Sequence, residues 1–325
     1  MASETKPSNM RTITPAARDL IDAIVAEIDI DASLLEKDVH VTDVLHELFK
    51  LKFPNSRFVF CGGTSLSKAF GVIERMSEDV DLKIALNPGH CLTRSGLRTY
   101  LKGVNEQVKA AMAKMGFEED PDGSKVLNEY RYCASSWLYN SVYSSSTALR
   151  PHLSLEFTVR EPRFDTHQAP VYYLMERFTE PPKEPPLIEC VAIEETLSEK
   201  VLSFLRRHSM HRAGVMKQEW DGALVRHIYD VYCILQQYPL AAQEAAAHFG
   251  DLVEVDKAEF KNYPAFVEDA KGCLTSALNA AENEGQTLTE YTGRLMPLVY
   301  GEVRPDFHTA FAAFKSAAGT LLSGI

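Results

Sequence analysis

Residues 58–84 read FVFCGGTSLSKAFGVIERMSEDVDLKI, a stretch that few folds can house. Phe58-Val59-Phe60 is a short apolar run that stops at Gly62-Gly63, the pattern of a buried strand entering a tight turn. Residues 64–71 suit a short helix with Thr64 or Ser65 near its N-terminus. Asp79 to Ile84 then alternates polar and apolar, as a strand with one buried face does. A strand, a glycine turn, a short helix and a second strand in so few residues require a sheet beside which the turn can sit.

The same stretch concentrates chemistry. Paired glycines let the backbone approach a ligand closely. A helix start presents free N–H groups and a positive dipole end, both suited to phosphate oxygens. Thr64 and Ser65 add hydroxyl donors. The spacing is not that of a Walker loop, which needs G-x-x-x-x-G-K-[ST]. Asp79 and Asp81, at i and i+2 on a strand, project from one face. Two such carboxylates can share one or two Mg²⁺ (or Mn²⁺) ions. Metals about 3.5–4 Å apart activate an attacking oxygen and stabilise a leaving pyrophosphate. Each part alone is common: D-x-D on a surface strand is ordinarily solvated charge, and Gly-Gly is ordinarily only a turn. Their order and spacing together are specific.

The rest of the chain divides by composition. Helical spacing appears over 14–29, 34–51 and 93–115. Strand patterns begin at Phe117, at Tyr130–Cys133 and at His152–Val159 (HLSLEFTV). Residues 1–190 thus read as a mixed α/β (α+β) domain. Pro181-Pro182 and Pro185-Pro186 mark a linker or rigid turn. Beyond Leu187–Val191 nearly everything reads as helix, over 194–208, 219–237, 240–249, 256–283, 287–298 and 305–322. Residues 191–325 are therefore expected to form a helical domain, with a cleft between the two. There is no internal repeat.

Other features narrow the function classes. With 325 residues, 45% of them hydrophobic, the chain can bury one large core or two ordinary ones. A net charge of −11 is unlike a general nucleic-acid binder, so any RNA has to be gripped locally. The run RRHSMHRAGVMK, with Arg206, Arg207, Arg212 and Lys217, is either such a grip or a solvated basic loop after a helix. The six cysteines are scattered and form no C-x-x-C pair, which fits reduced thiols better than zinc ribbons or disulfides. No apolar run reaches the roughly 18–20 residues needed to span a membrane, and the polar N-terminus has no signal core. A soluble, cytoplasmic protein is expected. The histidines form no zinc motif, and no G-x-S-x-G nucleophile elbow is present.

The order G-G-T-S, short helix, D-x-D resembles the polymerase-beta-like nucleotidyltransferase superfamily. G-G-T-S-L followed by R-M-S-E-D-V-D-L is similar to the AbiEii/AbiGii toxins of type IV toxin–antitoxin and phage-abortive systems, relatives of the mycobacterial MenT toxins. The likeness runs from about residue 35 to 235. Lys37-Asp38 matches an early Lys-Asp element, Glu199-Lys200 an "E-K" helix, and Arg226-His227-Ile228-Tyr229-Asp230 the R-D-x-x-D element. There His227 replaces the first aspartate, while Asp230 is kept. The resemblance implies transfer of a nucleotide from an NTP to an acceptor such as a tRNA 3′ end or another RNA, and a cognate antitoxin as partner.

It also implies roles. Asp79 and Asp81 would hold the metal, with Glu156 as a third carboxylate or simply an exposed strand position. Gly62, Gly63, Thr64, Ser65 and Lys200 would hold the triphosphate. Lys200 could equally be an exposed or snorkelling lysine. Asp230 would belong to the catalytic set, or pair with Arg226 on the surface as i,i+4 partners. Arg75 would contact phosphate or brace the loop. A phosphotransferase on the same scaffold, and a catalytically silent binding module, are the competing functions.

Overall fold

The computed structural model describes residues 10–144, 149–179, 184–216 and 220–325. Pro181, Pro182 and Lys217 lie outside the described residues. The chain divides into two compact units: Met1–Phe70, Met76–Pro162 and Thr166–Cys190 in one, and Gly71–Arg75, Arg163–Asp165 and Val191–Ile325 in the other.

The first unit begins with α1 (Pro15–Glu27) and α2 (Ala32–Leu48). Thr14 and Asp31 cap them, each accepting from a backbone N–H of the first turn, and Pro15 opens α1, where its missing N–H costs nothing. Strand β1 (Ser56–Cys61), helix α3 (Gly62–Lys68) and strand β2 (Asp79–Leu86) follow. Next come α4 (Arg94–Lys114), β3 (Glu118–Leu127), β4 (Tyr132–Leu138), β5 (His152–Val159), β6 (His167–Pro170) and β7 (Leu187–Cys190). The strands make a seven-stranded mixed sheet in the order β3-β4-β5-β2-β1-β7-β6. β2 is central, antiparallel to β1 and parallel to β5.

Burial explains the layering. Val80, Leu82 and Ile84 of β2 and Leu155 and Phe157 of β5 point to one face, as period-2 alternation requires. There they form a core with Val41, Val44, Leu45 and Leu48 of α2 and Leu97, Leu101, Val104 and Val108 of α4. Those helical positions recur at spacings of three and four, so each helix offers one apolar stripe. Asp79, Asp81 and Glu156 therefore lie on the opposite face.

The second unit is helical: α5 (Ile193–Arg212), α6 (Val225–Gln237), α7 (Ala241–Glu259), α8 (Pro264–Glu268), α9 (Ala270–Ala281), α10 (Gly285–Glu290) and α11 (Phe307–Ser323). α5 packs on α6, α7 and α9, and α11 packs on α6 and α7. The segment Gly71–Arg75 joins this unit: Arg75 bridges Val299, and the Glu74 carbonyl accepts from the Tyr300 and Gly301 N–H groups at 3.0 and 3.1 Å. Among the described residues no helix is long and apolar enough to cross a membrane.

Several sequence boundaries move. The strand expected from Tyr130 starts at Tyr132, because Asn128, Glu129 and Tyr130 take φ of 49°, 57° and 68° and turn the chain in the left-handed region. The helix expected over 240–249 continues to Glu259, carrying Phe249, Leu252 and Val253 inward. The helix expected over 256–283 is instead broken at Tyr263-Pro264, since a residue before proline is disfavoured in the α region. The helix expected from residue 219 begins at Val225, after a tight turn capped by Asp221. Strands β6 and β7, four residues each, have no counterpart in the sequence reading; they are too short to show alternation.

Candidate active site

β1 ends where Gly62 turns the chain with φ +78°. A Cβ added there would lie 2.1 Å from Asp81 Oδ2 and 3.0 Å from Asp81 Cβ. Two constraints thus demand glycine: a left-handed backbone and passage of the main chain directly against a carboxylate. α3 follows, seven residues long. The Thr64 hydroxyl donates to the Asp79 carbonyl and shares a 2.8 Å hydrogen bond with the Ser77 hydroxyl. Ser65 Oγ donates to the Gly62 carbonyl at 2.9 Å. Both residues are fully buried. Their single protons are spent on fastening α3 to the head of β2 and closing the turn, where the sequence had suggested donors for a ligand. Lys68, at the end of α3, donates to Asp38 Oδ1 at 2.5 Å, and Asp38 Oδ2 accepts from the Leu174 N–H at 2.6 Å.

The carboxylates are set by register. Asp81 pairs with Cys61 of β1 on one side and with Glu156 of β5 on the other. Neighbouring strands lie about 4.7–4.9 Å apart, so Asp81 and Glu156 are side-by-side neighbours on one face. Asp79, two residues back on the same face, sits opposite Ser154. Glu156 Oε2 accepts from the Tyr132 hydroxyl at 3.0 Å. Asp79 Oδ1 accepts from Arg150 Nη1 at 2.6 Å, in a partly exposed ion pair. No local pattern points to Arg150, Tyr132 or Ser154 here, because the position of β5 and β4 relative to β2 is a matter of topology.

All three carboxylates offer hard oxygen donors, the chemistry that Mg²⁺ prefers. Among the described residues no three Asp, Glu, His or Cys side chains are gathered tightly enough to hold a metal by themselves. The set fits an ion that takes one or two carboxylates and completes its shell with water and substrate phosphates, which is the usual habit of Mg²⁺.

The remaining sequence candidates lie in the helical unit. Asp230 of α6 is fully buried and accepts a forked pair of bonds from Arg75, Nε to Oδ1 at 2.7 Å and Nη2 to Oδ2 at 2.6 Å. Lys200 Nζ of α5 adds a third contact at 2.6 Å. Burial opposes ionisation of Asp230, yet the charges of Arg75 and Lys200 prevail and hold its carboxyl well below the usual range. Arg75 therefore braces Asp230 rather than standing open. Asp230 is thus buried rather than at the surface, with partners from a distant segment and a neighbouring helix. At His227, burial and then the Lys200 charge push the imidazole pKa down.

The basic run resolves into ion pairs. Arg206 is 8% exposed; it donates to Asp256 at 2.5 Å and stacks over the Phe260 ring at 3.5 Å. It faces inward and cannot serve as the RNA contact expected of it. Arg207 pairs with Asp221 at 2.6 Å and Arg212 with Glu284 at 3.2 Å, both partly exposed.

Comparison with known proteins finds likeness both in structure and in sequence family. The nucleotidyltransferase toxin MenT4 of Mycobacterium tuberculosis superposes with a TM-score of 0.55 over 95% of this chain and 89% of its own, at 19% sequence identity. That likeness speaks for the fold. A comparison with curated protein sequences finds no match. The family model described as nucleotidyl transferase AbiEii toxin, type IV toxin–antitoxin system, matches residues 43–313, a span that takes in the glycine turn, Asp79, Asp81, Glu156, Lys200 and Asp230, and the chain belongs to that family of nucleotidyltransferase toxins.

Proposed function

We propose that this protein transfers a nucleoside monophosphate from an NTP to an RNA acceptor, the 3′ end of a tRNA, and so blocks translation until an antitoxin restrains it. The observation that carries this reading is the placement of Asp79, Asp81 and Glu156 on one sheet face, with the Gly62 main chain pressed against Asp81. In the reaction the acceptor hydroxyl attacks the α-phosphorus in line. The new P–O bond forms, the bond to the β-phosphate oxygen breaks, and pyrophosphate leaves with the hydroxyl proton lost to solvent or base. A divalent cation held by one or two of Asp79, Asp81 and Glu156, its shell completed by water and substrate phosphates, would acidify that hydroxyl and neutralise charge on the leaving group. The Gly62–Gly63 turn packs against Asp81 and keeps it in place. Lys200 is assigned to the triphosphate on the family likeness, as a compact point charge; its buried ammonium pairs with Asp230 at 2.6 Å, so this contact requires it to leave or share that pair.

RNA has to be met locally on a chain of net charge −11. With Arg206 turned inward, Arg207 and Arg212 are the described members of the basic run that remain at the surface. A phage-defence role and a cytoplasmic location accord with the family and are part of the same proposal.

Incubation of the protein with each labelled NTP, Mg²⁺ and total RNA, followed by gel separation and mass analysis, tests it. Label in the tRNA band with the mass of an added nucleoside monophosphate is expected, and none with Asp81→Ala. An added mass of phosphate alone would make the protein a phosphotransferase, and no label in any band would leave a binding module.

A further inference from the structure

Arg150 belongs to no sequence motif, yet it touches the carboxylate pair. It lies just before β5, where Nη1 reaches Asp79 Oδ1 at 2.6 Å and Ser154 Oγ at 3.2 Å. Its main chain is fastened from both sides. The Arg150 N–H donates to Glu78 Oε2 at 2.7 Å, and its carbonyl accepts from Lys37 Nζ at 2.9 Å. Lys37 also donates to the His152 carbonyl and stands 3.7 Å from Glu78. Lys37 and Glu78 are almost wholly buried. A buried ion pair that loses one partner is costly, so this pair anchors the entry to β5 firmly against the head of β2. The guanidinium itself is partly exposed and hangs from that anchor on a flexible side chain.

We propose that Arg150 is the resident counter-ion of Asp79, and that a divalent cation entering beside Asp79 and Asp81 exchanges with its guanidinium, which then turns to the phosphates of the nucleotide. The inference rests on the metal-dependent reading above. One carboxylate oxygen cannot keep a guanidinium at 2.6 Å and a divalent cation at bonding distance without bringing two like charges together. The exchange needs no main-chain movement, because Glu78 and Lys37 hold the Arg150 main chain while its guanidinium is partly exposed and can rotate. The released group is planar and carries several donors, which suits it to phosphate oxygens. Arg150 is thus a positioning residue before the nucleotide binds, and a phosphate contact afterwards.

Mn²⁺ serves as the probe, its binding followed by loss of the free-ion spin-resonance signal without nucleotide. The proteins are the wild type, Arg150→Ala, Arg150→Gln, Arg150→Lys and Asp81→Ala, each checked for folding by circular dichroism. Exposed ion pairs are modest in strength. Arg150→Ala and Arg150→Gln should therefore bind Mn²⁺ about fivefold more tightly, about 1 kcal/mol at 1.4 kcal/mol per tenfold, while Arg150→Lys stays near the wild type. In the transfer assay the neutral variants should show a raised KM for NTP, on the order of tenfold, from a lost charge-assisted contact. Mn²⁺ affinity in the folded neutral variants that equals or falls below the wild type, yet is lost in Asp81→Ala, overturns this inference alone. Absence of Mn²⁺ binding in every protein overturns it together with the metal-dependent reading.

Discussion

At the scale of single residues, Gly62 is constrained twice, by its positive φ and by the neighbouring carboxylate. Most glycines in a turn could be replaced at the cost of some strain; this one also has a carboxylate where a Cβ would go. Gly62→Ala must shift either the turn or Asp81. The left-handed backbone alone costs about 1–2 kcal/mol for a residue with a Cβ. A misplacement of about 1 Å at reacting groups can cost about a hundredfold in rate. The expected outcome is a lower melting temperature and a transfer rate down about a hundredfold, read by calorimetry and by label incorporation. Wild-type rates in Gly62→Ala would mean that Asp81 is not held by the turn. Thr64 and Ser65 carry a related lesson. Their hydroxyls secure the frame around the carboxylates, so their loss should register first in stability.

At the scale of elements, the helices of the second unit are tied together by buried charge. Asp230 on α6 collects Arg75 and Lys200. Replacing it with Asn strands two cations in a dry site, with an expected cost of about 3–5 kcal/mol at pH 7. Its folded pKa is depressed. The stabilisation is therefore complete above the unfolded carboxyl value, about 3.9, and is lost as pH falls through the folded value. Urea unfolding should show a gap between wild type and Asp230→Asn that is constant from about pH 7 to 5 and narrows below about 4. A gap that shrinks already near pH 6 would place the linkage on another group. Arg206 plays the corresponding part between α5 and α7. Arg206→Ala should destabilise by about 3 kcal/mol by removing the buried guanidinium from Asp256 while leaving the salt dependence of RNA binding unchanged. The double variant Arg207→Ala and Arg212→Ala should flatten that dependence, because each lost phosphate contact lowers its slope by roughly one. The reverse pattern would put RNA elsewhere.

At the scale of the whole molecule, family membership carries a cellular expectation. Induced expression in a bacterium should arrest growth, and Asp79→Ala or Lys200→Ala should relieve it at equal soluble yield. Equal yield matters for Lys200, since it also neutralises Asp230. Arrest that persists in both variants would separate toxicity from this chemistry. The net charge adds a second expectation. A chain with net charge −11 repels nucleic acid at long range, so an RNA acceptor, as proposed, would have to be gripped within about 8 Å of a basic group at physiological salt.

The sequence alone determined the centre of the first unit. Phe58–Phe60, Gly62-Gly63 and Asp79–Ile84 announced strand, turn and strand because period, glycine and charge are local properties. For the same reason Glu156 could be assigned to the face opposite Leu155 and Phe157, and residues 34–51 and 93–115 could be read as helices. Tertiary structure alone decided which strands are neighbours. That β5 lies parallel to β2, with Glu156 beside Asp81 and Arg150 upon Asp79, follows from how the sheet is wound, and no spacing records it. The partners of Asp230, Lys200 and Arg206 were hidden likewise, since a buried charge is matched by whatever carboxylate or guanidinium the packing brings to it. Local sequence specifies which way a side chain faces; only the closed fold specifies what it meets there.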